Sequence, residues 1–149
     1  MRWRRLNSRY LDSGAGPLQI SKALHDGNVV RFNSLTGCTV TLPAATGSGA
    51  RYRFVITVVP TSNSLIIKVN NTTDIFNGIV FQLADDAAAL AGFAANGTTD
   101  DTITLNRTTT GATAKGEFIE VEDIAPGVYH VSVSTKPTGA EATPFSATV

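Results

Sequence analysis

The segment 51–59 does most to limit what this chain can fold into. Tyr52, Phe54, Ile56 and Val58 alternate with Arg51, Arg53, Val55 and Thr57. A period of two places the first set on one face of a strand, and that face has to be covered by other apolar groups. Pro60 ends the segment, because proline has no N–H to give to a central ladder. Shorter copies of the pattern follow along the chain, separated by turn signals at intervals of roughly ten residues, which is the spacing of a sandwich or barrel. Strands are expected over 18–22, 28–34, 38–42, 51–59, 64–70, 75–83, 101–107, 117–122 and 128–135, with a short edge strand at 146–149. Turns are expected at 43–49, at 108–116 and at 123–127, where Pro126-Gly127 sits at the centre. The alanines of 85–93, with Asp85 or Asp86 as cap, predict the one helix.

Composition supports the same class. The chain has twenty threonines and only 16% charged residues in its 149. β-branched side chains lose χ1 freedom in helices and fit a pleated surface well. With helical crossovers absent, a parallel βαβ architecture is not expected. The fold class read from the sequence is all-β: an antiparallel two-sheet sandwich, jelly-roll-like, with an N-terminal extended arm and at most one short helix. Residues 1–17 are expected to form the basic arm, ending in the Asp12-Ser13-Gly14-Ala15-Gly16-Pro17 hinge, and residues 18–149 the sandwich domain. No apolar run reaches the length of a membrane span, and no apolar stretch follows the basic start as in a secretion signal.

Reactive chemistry is sparse. Cys38 is the only cysteine and alternates with Val40 and Leu42, which makes it a core thiol. His130 is out of phase with Tyr129, Val131 and Val133, so it faces solvent or a partner. One cysteine and two separated histidines, His25 and His130, lack zinc spacing. The pairs Asp85-Asp86 and Asp100-Asp101 lack EF-hand spacing and read as caps of backbone groups. Glu117, Glu120, Glu122 and Asp123 form an acidic cluster, read as an exposed face beside a turn and not as a paired-carboxylate site. Asn70, Asn71, Asn96 and Asn106 each begin an N-x-[ST] triplet, expected by chance in a threonine-rich chain. No catalytic, cofactor-binding or metal-binding residue is assigned, no cofactor is expected, and the chain is read as a non-enzyme.

The formal charge is zero, with 12 basic and 12 acidic residues, but residues 1–10 hold four arginines and no acid. A neutral whole with an acidic body argues against general nucleic-acid binding, which needs a broad basic surface. Arg2, Trp3, Arg4, Arg5, Arg9 and Tyr10 combine planar donors with aromatic area, the residue types that dominate protein interfaces. They are candidate residues for docking onto a protein partner, beside the readings of a solvated terminus or a nucleic-acid-binding tail.

Several segments resemble tailed-bacteriophage capsid decoration, or cement, proteins. They are Thr39-Val40-Thr41-Leu42-Pro43-Ala44-Ala45-Thr46-Gly47-Ser48-Gly49-Ala50-Arg51-Tyr52-Arg53-Phe54, Asp101-Thr102-Ile103-Thr104-Leu105-Asn106, the stretch from Gly116 to Tyr129, and the C-terminal run from Ala142 to Thr148. The resemblance implies a β-sandwich on the outside of an icosahedral head, as a dimer or trimer bridging major capsid proteins. Its partners would be the major capsid protein and itself, with no membrane and no nucleic acid. It would be made in the host cytoplasm and end on the exterior of the virion. A ligand that binds only the assembled shell stabilises that shell by mass action. The Leu-Pro-Ala-Ala-Thr-Gly turn also occurs in phage tail-fibre modules, so a receptor-binding module for a host glycan or protein is the second reading. A lectin or carbohydrate-active enzyme on a sandwich is the third.

Overall fold

The computed structural model describes residues 9–84 and 89–149. In chain order the strands are β1 (Tyr10–Asp12), β2 (Leu18–Gln19), β3 (Val29–Phe32), β4 (Cys38–Thr41), β5 (Arg51–Ile56) and β6 (Leu65–Lys68). They continue as β7 (Ile75–Leu83), β8 (Leu90–Ala94), β9 (Thr102–Leu105), β10 (Phe118–Ala125), β11 (Val128–Thr135) and β12 (Phe145–Ser146). A single helical turn, α1 (Lys22–His25), joins β2 to β3. Seven strands form one sheet in the order β1-β3-β5-β10-β11-β7-β8, and five form the other in the order β12-β9-β6-β4-β2. One apolar cluster draws on both sheets, so the two-sheet all-β expectation holds.

The pairing is mixed, which corrects the antiparallel, jelly-roll-like expectation. From β1 to β6 the chain alternates between the sheets, so strands that neighbour each other within a sheet run parallel: β1 with β3, β3 with β5, β2 with β4 and β4 with β6. Parallel neighbours need a crossover connection. Here a strand of the opposite sheet provides it, so the scarcity of helices did not exclude parallel pairing. Further along, β10 runs antiparallel to both β5 and β11, while β11 pairs parallel with β7.

Two other expectations change. Residues 90–93, expected as helix, belong to the edge strand β8, paired antiparallel with β7; Asp85 and Asp86 lie outside the described residues. Residues 10–12 of the expected arm form β1, an edge strand locked to β3 through Tyr10↔Val29 and Asp12↔Arg31.

The core follows the alternation. Tyr52, Phe54 and Ile56 of β5 are buried, as are Leu65 and Ile67 of β6 and Tyr129, Val131 and Val133 of β11. Phe32 and Phe54, on adjacent parallel strands, stack with ring centroids 5.6 Å apart. Cys38 is buried as expected, and burial raises its thiol pKa against a smaller opposing effect from Ser13. Gly78 sets the contact between β7 and β11. Its φ is 144°, and a Cβ there would lie 1.9 Å from the Val131 carbonyl oxygen, so no other residue fits. Removing a buried phenyl group costs about 3–5 kcal/mol. Phe54→Ala should therefore lower the urea midpoint by that equivalent with the slope unchanged, as measured by equilibrium denaturation.

Candidate functional site

Several of the loops that carry the chain from sheet to sheet are held by buried carboxylates. Asp123 continues the inward phase of Ile119 and Val121 on β10. Its carboxylate accepts hydrogen bonds from the backbone N–H groups of Thr46 (3.0 Å), Gly47 (2.7 Å) and Ser48 (3.0 Å), and from the Ser48 hydroxyl (2.6 Å). Burial alone would raise its pKa. The bonds from Ser48, Gly47 and Thr46 outweigh that and hold it at about 2. Glu117 does the same for the next loop, accepting from the N–H groups of Ala112 (2.7 Å), Thr113 (2.7 Å), Ala114 (2.5 Å) and Lys136 (3.1 Å). Asp101 accepts from the Thr148 N–H at 2.8 Å and so ties the C-terminal segment to β9. Asp74 receives the Ala45 N–H at 2.7 Å, and Asp100 the Asn96 N–H at 2.7 Å.

These contacts revise the reading of the acidic cluster. Glu117 and Asp123 are buried loop anchors, whereas Glu120 and Glu122 lie on the outer face of the seven-stranded sheet, as expected of all four. The Asp100-Asp101 pair binds backbone and hydroxyl groups, as its sequence suggested. Three of the four N-x-[ST] asparagines also organise turns. Asn71, Asn96 and Asn106 each accept, through the side-chain oxygen, the N–H of a residue two or three positions on.

The outer face of the seven-stranded sheet has two distinct halves. Its centre is crossed by ion pairs, Arg51 with Glu122 (3.1 Å) and Arg53 with Glu120 (2.9 Å), and Arg53 also lies over the Phe118 ring. A trough of about 420 Å³ runs beside them, with His130, Ser132 and Asn28 on its walls. Its arginines and glutamates already pair with each other, and exposed pairs of this kind add little stability. His130 is exposed, as its phase implied.

Toward β8 the face turns apolar. Ile79, Phe81 and Leu83 of β7 are 48%, 47% and 41% exposed, and Leu90 of β8 is 65% exposed. Register places Ile79 beside Ala94, Phe81 beside Gly92 and Leu83 beside Leu90, so these side chains form one contiguous strip. Exposed apolar residues scattered singly are ordinary, whereas these four lie together on one face. The expected helix at 85–93 hid this strip. Alternation in 75–83 was legible, and its second apolar phase, Ile79, Phe81 and Leu83, was the available signal.

Of the candidate capsid-binding residues, Arg2, Trp3, Arg4 and Arg5 lie outside the described residues. Arg9 and Tyr10 sit at the opposite rim of the same sheet. The Arg9 N–H donates to the Asn28 side chain at 2.8 Å and its carbonyl accepts from Val29 at 3.0 Å. Tyr10 is 68% exposed, with the Arg31 guanidinium 5.4 Å from its ring centroid, and Arg31 also pairs with Asp12 at 2.8 Å.

Among the described residues, no group of three or more His, Cys, Asp or Glu side chains could hold a metal ion, and no helix is long and apolar enough to cross a membrane. Compared with protein-family models, curated proteins and solved structures, the chain matches none.

Asp123→Ala should cost about 2–4 kcal/mol, because it leaves several buried donors without an acceptor. A lowered folded pKa contributes stability above the ordinary carboxyl value and loses it as pH falls toward the folded one. The stability gap between wild type and variant should therefore be full at pH about 5 and shrink toward pH about 2, as read from urea midpoints across that range.

Proposed function

We propose that this chain is a structural adhesive protein that decorates the outside of a tailed-phage head and bridges neighbouring major capsid proteins. The observation that carries the reading is the apolar strip of Ile79, Phe81, Leu83 and Leu90, held on a sheet whose loops are pinned by buried carboxylates. A fixed apolar surface binds without the ordering cost that a flexible one incurs. The segment resemblance from residue 39 onward supplies the partner: a shell presenting the same site many times over. Repetition favours such a ligand, because copies joined to each other gain avidity on a lattice. The arm residues Arg2, Trp3, Arg4, Arg5, Arg9 and Tyr10 are the second candidate contact, and of these Arg9 and Tyr10 sit at the β1 rim. The protein chemistry required is adhesion alone, with no cofactor and no turnover.

The test is to add purified chain back to heads that lack it and count bound copies on a stained gel. Saturation at hundreds of copies per particle is expected. Phe81→Ser with Leu83→Ser should weaken binding at least tenfold, about 1.4 kcal/mol, while leaving the fold intact because both side chains are half exposed. Arg9→Ala with Tyr10→Ala should weaken it less. Binding to tails in a handful of copies would instead support a receptor-binding module, and unchanged head binding by the Phe81/Leu83 variant would remove the strip from the account.

A further inference from the structure

We propose that the outer edge of β8, unpaired among the described residues, pairs with β8 of a second copy of this chain, antiparallel about a two-fold axis at Gly92. The two sheets have four edge strands, β1 and β8 of one and β2 and β12 of the other. An unpaired edge invites another strand unless it is short, charged or flanked by proline. β2 has two residues and follows Pro17, and β12 also has two. β1 has three, and its outer face carries the Asp12–Arg31 ion pair. β8 has five residues, Leu90-Ala91-Gly92-Phe93-Ala94, with no charge and no proline. Among these edges it alone has none of these protections.

The hydrogen-bond phase of β8 suits such a pairing. The Ala84 N–H donates to the Ala89 carbonyl at 3.0 Å and the Ala95 N–H to the Gly78 carbonyl at 3.0 Å. With the register between them, Ala91 and Phe93 also turn their backbone groups toward β7. Leu90, Gly92 and Ala94 therefore direct their N–H and C=O groups to the open edge. A two-fold axis at Gly92 sets Gly92 opposite Gly92 and Leu90 opposite Ala94, so every one of these groups meets a partner.

Charge and shape select a second copy. In a two-fold contact each surface meets itself, so any charge on the edge would be repeated close to its own image. Like charges set opposite each other across a ladder are destabilising. Neither β7 nor β8 carries a charged side chain, so self-pairing meets no repulsion and an oppositely charged partner gains nothing. Leu90, the large exposed residue, faces the small Ala94. A Cβ at Gly92 would lie 4.0 Å from the Phe81 ring, so that ring flanks the axis in both copies. Opposed residues in an antiparallel ladder share a face. The strips of Ile79, Phe81, Leu83 and Leu90 therefore merge into one apolar surface across the axis, still open to a further partner. The pairing rests on the sheet edge alone and does not depend on head binding.

Sedimentation of the purified full-length chain tests this without any capsid. A concentration-dependent dimer is expected at micromolar protein. Gly92→Pro removes the donor at the axis while sparing the bonds to β7, which Gly92 does not make; it should weaken dimerisation at least tenfold. Leu90→Lys with Ala94→Lys sets like charges opposite each other and should weaken it similarly, whereas Leu90→Lys with Ala94→Glu sets opposite charges there and should restore it. Circular dichroism would confirm that each variant keeps its strands. A wild-type monomer at tens of micromolar would overturn the proposal, as would a dimer indifferent to Gly92→Pro and to the like-charge pair. Failure of the opposite-charge pair to restore the dimer would overturn the Gly92-centred register.

Discussion

Because the chain passes from one sheet to the other after each of its first six strands, the fold depends on what holds the crossing loops. At several crossings that task falls to buried carboxylates that bond backbone N–H groups. Asp123 holds the 46–48 turn between β4 and β5, Glu117 the 112–114 loop before β10, and Asp74 the chain just after Pro43. A buried carboxylate without donors would be prohibitive, and a buried loop without acceptors nearly as bad. Each satisfies the other. The arrangement also explains how an acidic, charge-poor body folds with few cations: several of its acids are matched by peptide dipoles, and the guanidinium groups of Arg51 and Arg53 stay on the surface.

Much of this was legible from residue order, and the failures have physical causes. The limits of β7 and β11 match the alternation read at 75–83 and 128–135. Cys38 and His130 fall on the faces their phase assigned. Strand direction was not legible, because period two is the same in parallel and antiparallel ladders and only the connections tell them apart. The alanines before and within β8 favour helix locally, while pairing with β7 decides the outcome. β1 was concealed by its brevity among arginines. The roles of Glu117 and Asp123 were partly visible, since Asp123 extends the inward series Ile119 and Val121 on β10, but acids on a β-rich surface are usually solvated and the exposed reading prevailed.

The residue types of the sequence point to the amino-terminal arm, while a contiguous run of exposed apolar side chains among the described residues lies at the far rim of the same sheet. The two are compatible. The seven-stranded sheet presents Tyr10 and Arg9 at one rim and an apolar strip at the other, with a neutralised band of Arg–Glu pairs between them. Such a plate can touch two neighbours at once, and copies joined along β8 would lengthen it.

The central claim is that the apolar rim of the seven-stranded sheet faces a repeating protein shell. A cryo-reconstruction of the intact particle that carries this chain tests it most directly. The account predicts density for the chain at regular positions on the outer head lattice, with Phe81 and Leu83 turned onto the major capsid protein. Density at the tail tip, or on the head with that rim pointing into solvent, would contradict it.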